Sequence, residues 1–145
     1  MILGVHHAAL AVPDREAALA FYWELLGFEV VMEATVPSGI DVMSEAMGIN
    51  DSGFKVRMIS KGTSCIELFE FDNSLEGEPD RPVNRTGITH IALSSDAIAD
   101  DYERLSANGV AFNSGLFGAA PGRFAYGRDP FGNVIELLEH NPDSQ

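Results

Sequence analysis

Two histidines and two glutamates at matching points of two weakly similar halves are the residues of this chain best suited to chemistry. His7 and His90 each begin an apolar segment, and Glu67 and Glu136 each lie inside a later one, in CIELF and VIELL. Imidazole nitrogens and carboxylate oxygens together form a ligand set for a divalent metal ion. Because both residue types recur in the same order in both halves, the pattern indicates a metal site more specifically than either half alone.

Side-chain alternation along a strand distinguishes His7 from its neighbour His6. The segments HHAALAV at 6–12 and THIALSS at 89–95 align His90 with His7. Successive side chains of a strand point to opposite faces, so His7 is predicted to share a face with the small residues Ala9 and Ala11. That face leaves room for a ligand, whereas His6 is predicted to lie on the other one.

The two glutamates lie among apolar neighbours on their predicted strand faces. Glu67 shares its face with Phe69, and Glu136 shares its face with Leu138. A carboxylate in such surroundings is costly to bury without a partner, and a metal ion would supply one. The alternative is that each glutamate faces solvent on a sheet covered on one side only, with the histidines as ordinary core or surface residues.

Hydrophobic periodicity and turn residues predict the same order of elements in both halves. Strands are predicted at 5–12, 28–34, 54–60, 64–71, 87–94, 110–113, 123–129 and 133–139, and helices at 15–26 and 96–108. The fold class is therefore α+β, with two tandem βαβββ modules at 1–72 and 87–140 and a polar linker at 73–86. The first module carries an insertion around 36–53, in which MSEAMGI has helical character.

Composition narrows the range of partners. The chain has 145 residues, of which 46% are hydrophobic and 21% charged, as in a typical globular protein. The net charge of −13 disfavours nucleic acids and anionic membranes as partners. No stretch approaches the roughly 20 apolar residues of a membrane span. Cys65 is the only cysteine, which is typical of a reducing compartment and predicts a cytoplasmic location.

Segments along nearly the whole chain resemble the vicinal oxygen chelate superfamily, which includes glyoxalase I, methylmalonyl-CoA epimerase, extradiol dioxygenases and fosfomycin or bleomycin resistance proteins. The segments are HAALAVPD, AFYWELLGFEV, CIELFE, GITHIALSSD and GRDPFGNVIELLE. The resemblance implies an open, cup-shaped sheet around one divalent metal ion (Ni, Co, Mn, Fe or Zn) held by His7, Glu67, His90 and Glu136. Substrate oxygens would complete the coordination sphere. The resemblance also implies a homodimer.

The number of ligands favours the glyoxalase and epimerase branch of that superfamily. Four protein ligands leave two positions for a substrate, which suits a Lewis-acid metal that stabilises an enediolate. Glu67 or Glu136 would then act as the base. Ala11 and Phe71 replace residues that contact glutathione in glyoxalase I, so a different small carbonyl or hydroxy-acid substrate is expected.

Two other functions are compatible with parts of the sequence. Tyr126 lies ten residues before Glu136, where extradiol dioxygenases often have an acid–base tyrosine, so an Fe(II) ring-cleaving dioxygenase is the runner-up. A half-buried hairpin aromatic is the alternative reading of Tyr126. The acidic charge would also suit a non-catalytic drug-binding resistance protein, although retention of all four ligands argues against that role.

The substrate pocket is predicted from four further residues. Met43 and Met47 lie four residues apart in the insertion, and methionines adapt to varied apolar ligands. Phe69 and Arg123 complete the predicted pocket. The alternative for the insertion is an ordinary surface loop.

Overall fold

The computed structural model describes residues 1–140 and contains two compact units, which divide between Glu76 and Gly77. The division lies inside the predicted linker. The first unit contains β1 (Ala8–Ala11), α1 (Arg15–Leu19), a π-helical segment (Ala20–Leu25), β2 (Glu29–Val36), α2 (Asp41–Met47), β3 (Phe54–Lys61) and β4 (Ser64–Phe71). The second contains β5 (Ile91–Ser95), α3 (Ile98–Ala107), β6 (Ala111–Phe112), β7 (Phe124–Arg128) and β8 (Val134–Glu139).

Each unit forms one four-stranded sheet, and the two sheets have the same topology. The strand orders are β1-β4-β3-β2 and β5-β8-β7-β6. The first strand of each unit pairs in parallel with the last, and the other neighbours pair antiparallel. The predicted α+β fold of two tandem βαβββ modules is therefore confirmed.

One helix packs on one face of each sheet, and this covered face holds much of the core. Helix α1 packs against β4, and α3 packs against β8. Ile66 and Leu68 of β4 and Ile135 and Leu137 of β8 are all buried on these faces. Their neighbours in sequence alternate to the opposite, open face, which is where Glu67 and Glu136 lie.

The first helix begins as predicted but does not remain α-helical. Asp14 caps α1, since its Oδ1 accepts hydrogen bonds from the backbone N–H groups of Glu16 and Ala17. The chain widens into a π-helical turn after Leu19, and the N–H of Leu26 bonds to the carbonyl of Phe21 five residues earlier. The consecutive Phe21 and Tyr22 are both buried, which the wider turn accommodates.

The first strand of each module is shorter than predicted. Ala8 pairs with Ile66, two residues into β4, and Ile91 pairs with Ile135. Residues before position 6 would extend past the start of β4, so they have no strand to pair with. His7 and His90 each stand directly before the first residue of a strand. No helix among residues 1–140 has the length and apolar character needed to cross a membrane.

Candidate metal centre

A histidine and a glutamate meet in each module, with the same contact in both. The Nε2 atom of His7 lies 3.0 Å from Oε2 of Glu67, and the Nε2 atom of His90 lies 3.0 Å from Oε2 of Glu136. We refer to these pairs as the first and second half-sites. The repeat seen in the sequence is thus also a repeat of side-chain geometry.

The position of each glutamate follows from strand register. Ala9 of β1 is the partner of Glu67 in β4, and Ala92 of β5 is the partner of Glu136 in β8. An alanine beside each carboxylate leaves space above the open face of the sheet. The histidine two residues before that alanine reaches over it to the carboxylate.

The carboxylates of the half-sites are largely removed from water. The side chains of Glu67 and Glu136 are 14% and 13% exposed, and those of His7 and His90 are 34% and 28% exposed. A carboxylate so placed needs a charged or hydrogen-bonding partner, and one imidazole satisfies only one of its oxygens. The remaining oxygen lone pairs and the imidazole nitrogens form a mixed N/O donor set that suits a divalent transition metal.

Each half-site alone supplies fewer ligands than a stable metal centre requires. Protein metal sites of this type use three or four side-chain ligands. Among residues 1–140, no group of three or more His, Cys, Asp or Glu side chains is arranged to hold a metal ion. The residues of each half-site are nevertheless of the types that bind divalent metal ions.

The residue before each ligand histidine contacts the other nitrogen of its ring. The Nδ1 atoms of His6 and His7 lie 2.9 Å apart, and Oγ1 of Thr89 lies 2.8 Å from Nδ1 of His90. The sequence prediction put His6 on the face away from His7. Strand alternation does not apply there, because β1 begins only at Ala8. One feature of the sequence could have predicted these contacts: positions 6 and 89 are equivalent in the two modules, and both carry side chains that can form hydrogen bonds.

Tyr126 lies next to both members of the second half-site. It lies directly opposite Glu136 in the pairing of β7 with β8. Its ring meets the ring of His90 edge to face, with the centroids 5.1 Å apart. Partial burial, and then the charge and hydrogen bond of Glu136, raise the pKa of the Tyr126 phenol. The phenol therefore keeps its proton at neutral pH.

Phe69 lies on the open face of the first sheet, two residues from Glu67. Its ring stacks on Phe71 at 5.3 Å and packs against Phe54 at 5.4 Å. Since Phe69 is only half-buried, this aromatic cluster gives the surface next to Glu67 an apolar character.

Met43 and Met47 lie on α2, so the predicted helical stretch of the insertion is confirmed. Met43 is half-buried and Met47 is exposed. Hydrogen bonds close the insertion at its base, where Ser38 Oγ accepts from the N–H of Gly53 at 2.9 Å and donates to Asp72 at 3.2 Å. The role of the methionines as a pocket wall stays a prediction.

Arg123 is held by Glu139 and is not brought together with Tyr126 and Glu136. Its Nη2 and Nε atoms bond the two carboxylate oxygens at 2.5 and 3.0 Å. The register, with Phe124 opposite Leu138, puts this pair on the opposite face from Glu136. The Arg123 guanidinium and two backbone N–H groups lower the pKa of Glu139 to about 2. The structure thus gives Arg123 a different partner from the substrate that the sequence predicted for it.

Comparison with known proteins extends the resemblance over almost the whole chain. A family model described as the Glyoxalase/Bleomycin resistance protein/Dioxygenase superfamily matches residues 4–137. The uncharacterized protein YaeR of Escherichia coli (strain K12) is 32% identical over 136 residues, which are 93% of this chain and 95% of YaeR.

Two solved structures show the same fold. A glyoxalase family protein from Bacillus cereus superposes with a TM-score of 0.85 at 22% identity, covering 96% of this chain and 95% of that chain. The fosfomycin resistance protein FosX from Listeria monocytogenes, solved with Mn(II) and a sulfate ion, superposes with a TM-score of 0.61 at 23% identity. That match covers 99% of this chain and 97% of FosX.

Proposed function

The chain belongs to the Glyoxalase/Bleomycin resistance protein/Dioxygenase superfamily, and on that premise we propose that it is a metal-dependent lyase or isomerase of the glyoxalase–epimerase type. The observation that carries the proposal is the repeated half-site, in which Nε2 of a histidine faces a carboxylate oxygen at 3.0 Å in both modules. The substrate is a small carbonyl or hydroxy-acid compound.

One divalent metal ion would be bound by His7, Glu67, His90 and Glu136 together. Two imidazoles and two carboxylates fit Ni, Co, Mn, Fe or Zn, since such mixed sites discriminate weakly between these ions. The Mn(II) in FosX is a property of that protein, and it supports a divalent ion here. Bound at this set, the ion would supply Lewis-acid stabilisation of charge on substrate oxygens.

The protein's own groups would move the protons. The carboxylate of Glu67 or Glu136 would take a proton from the carbon beside the substrate carbonyl and return it on the other side or at the neighbouring carbon. Tyr126 lies directly opposite Glu136 across the β7–β8 pair. Because that phenol stays protonated, it is placed to donate a hydrogen bond to a substrate oxygen and not to act as the base.

The substrate would rest on apolar surfaces beside the metal ligands. The aromatic cluster of Phe69, Phe71 and Phe54 adjoins Glu67 on the open face of the first sheet. Helix α2, with Met43 and Met47, would add a wall from the insertion. Ala11 is exposed and has no group that could hold a glutathione carboxylate, which supports a substrate other than a glutathione adduct.

A ring-cleaving dioxygenase is the second candidate, and Tyr126 is the observation that favours it. A tyrosine in contact with both members of a half-site is what such an enzyme would use as an acid–base group. A ring-cleaving dioxygenase would need only three protein ligands to its metal ion. Metal binding would then not require Glu67. The glyoxalase-type function requires Glu67.

A turnover screen of the metal-loaded protein tests the proposal. Protein reconstituted separately with Ni, Co, Mn, Fe and Zn would be offered 2-oxoaldehyde thiol adducts, acyl-CoA epimers and catechols. We expect isomerisation or proton exchange with solvent deuterium for a carbonyl substrate, and loss of this activity in Glu67→Gln. Oxygen consumption with a catechol by the Fe(II) form, retained in Glu67→Gln, would favour the dioxygenase instead.

A further inference from the structure

We propose that His6 and Thr89 are positioning residues that orient the two ligand histidines through their Nδ1 atoms. The inference rests on the proposed metal site and assigns a function to two residues that the sequence left without one. In both modules the preceding residue contacts Nδ1, at 2.9 Å from His6 to His7 and at 2.8 Å from Thr89 to His90. In both modules Nε2 is left facing the glutamate.

Both histidines need such support because the backbone does not provide it. His7 and His90 precede the first paired residue of their strands, so no ladder hydrogen bond holds them. Their side chains are about one-third exposed, at 34% and 28%, so packing restrains their rings only on one side. A second hydrogen bond at Nδ1 therefore fixes the direction in which Nε2 points.

A ligand histidine faces either a carboxylate or a metal ion through Nε2, and the two positioning residues can hydrogen-bond to its Nδ1 atom in both cases. Facing an ionised carboxylate, Nε2 carries the ring proton, so Nδ1 must accept a hydrogen bond. Facing a metal ion, Nε2 must offer its lone pair, so Nδ1 carries the proton and donates. The partner must therefore be able to donate in one state and accept in the other. A threonine hydroxyl and an imidazole can each do both.

The same contact with Nδ1 of a histidine occurs in both modules. Positions 6 and 89 are equivalent in the two modules but carry different residue types, His and Thr. The two side chains nevertheless make the same contact with the same ring atom. The feature that the modules share is thus an amphoteric hydrogen-bonding group at Nδ1, and not a particular residue.

The affinity for zinc tests the role of Thr89 directly. Zinc binding would be measured by competition with a chromogenic chelator for the wild type, Thr89→Val and Thr89→Ser. Valine keeps the shape of threonine without the hydroxyl, and serine keeps the hydroxyl. We expect affinity to fall about 10- to 100-fold in Thr89→Val, as for other residues that orient metal ligands, and to recover in Thr89→Ser.

Two controls separate this role from general damage. Thr86→Val makes the same chemical change at an exposed position three residues upstream and should leave zinc affinity unchanged. The unfolding temperature of the metal-free protein should be the same for Thr89→Val and the wild type. If Thr89→Val binds zinc as tightly as the wild type, the inference is wrong while the metal site stands. If the wild type takes up no zinc, the metal site itself fails and the inference fails with it.

The first module offers an independent version of the test. His6→Phe keeps a ring at position 6 but removes its nitrogens, and we expect a loss of zinc affinity in the same 10- to 100-fold range. In zinc-loaded wild-type protein, long-range proton–nitrogen spectra should show His7 and His90 protonated at Nδ1. The Nδ1 proton of His90 should exchange with water faster in Thr89→Val. An unchanged exchange rate would contradict the proposed hydrogen bond.

Discussion

Tyr126 stands directly opposite Glu136 across the β7–β8 pair, whereas the equivalent partner of Glu67 in the first sheet is Met58. A phenol can donate a hydrogen bond to its carboxylate, and a thioether cannot. The two half-sites therefore have the same His–Glu pair but different neighbours. This asymmetry gives one carboxylate a proton-carrying companion, which suits a reaction in which the two glutamates have different tasks.

Replacing Tyr126 with Phe should lower kcat by about 10²- to 10⁴-fold, the range for loss of a group that assists proton transfer. Metal content should not change, because the phenol is not a ligand. Steady-state kinetics and elemental analysis on the same sample would measure both. Tyr102→Phe is the matched control, since the Tyr102 hydroxyl donates a hydrogen bond to the carbonyl of Ser114 and not to a residue of the half-site. Full activity in Tyr126→Phe would remove Tyr126 from the mechanism.

The Arg123–Glu139 pair should make stability depend on pH in the acid range. The pKa of Glu139 is lowered from 4.5 to about 2, so the pair stabilises the fold above pH 4.5 and loses this effect as the pH falls towards 2. Arg123→Met should therefore lower the free energy of unfolding at pH 7, and the difference from the wild type should shrink below pH 4.5 and vanish near pH 2.

Urea unfolding at a series of pH values would measure that difference. Arg85→Met is the control, because Arg85 pairs with Glu78 at an exposed site where ion pairs contribute little. A pH-independent effect of Arg123→Met would show that Arg123 acts through packing and not through its charge.

Replacing both Met43 and Met47 with Ala should raise KM for an apolar substrate and leave metal content unchanged. The reason is that α2 would contact the substrate and not the metal ion. Val31→Ala removes another exposed apolar side chain, on β2, and serves as the comparison. Unchanged kinetics in the double variant would make the insertion a surface loop.

The repeated pattern of the sequence was sufficient to predict the two modules, the order of their elements along the chain and the four residues that form the two half-sites. Periodicity and turn residues depend on local chemistry, and both halves repeat them. Three features depended on the tertiary context of each residue instead. Arg123 faces Glu139 because of its position in the β7–β8 ladder. His6 contacts His7 because β1 begins late, and the turn after Leu19 widens to bury adjacent aromatic residues.

The protein should form a homodimer in solution. The sequence has more aromatic side chains on its first helix than one face can bury, and Trp23 is indeed 52% exposed. The apolar side chains of Met1, Ile2, Leu3 and Val5 are exposed as well, and a two-fold interface would cover apolar surface of this kind. Sedimentation at micromolar concentration should give twice the chain mass of 15.6 kDa. A monomer that still binds metal would contradict the dimer.

The number of metal ions bound per chain tests the central claim most directly. Elemental analysis of protein reconstituted with Ni, Co, Mn, Fe or Zn should give one ion per chain, because the proposed site uses the ligands of one first half-site and one second half-site. His7→Ala and His90→Ala should each abolish stoichiometric binding, although each leaves one half-site intact. No uptake of any of these metals, or two ions per chain with one lost in each variant, would contradict a single four-ligand site.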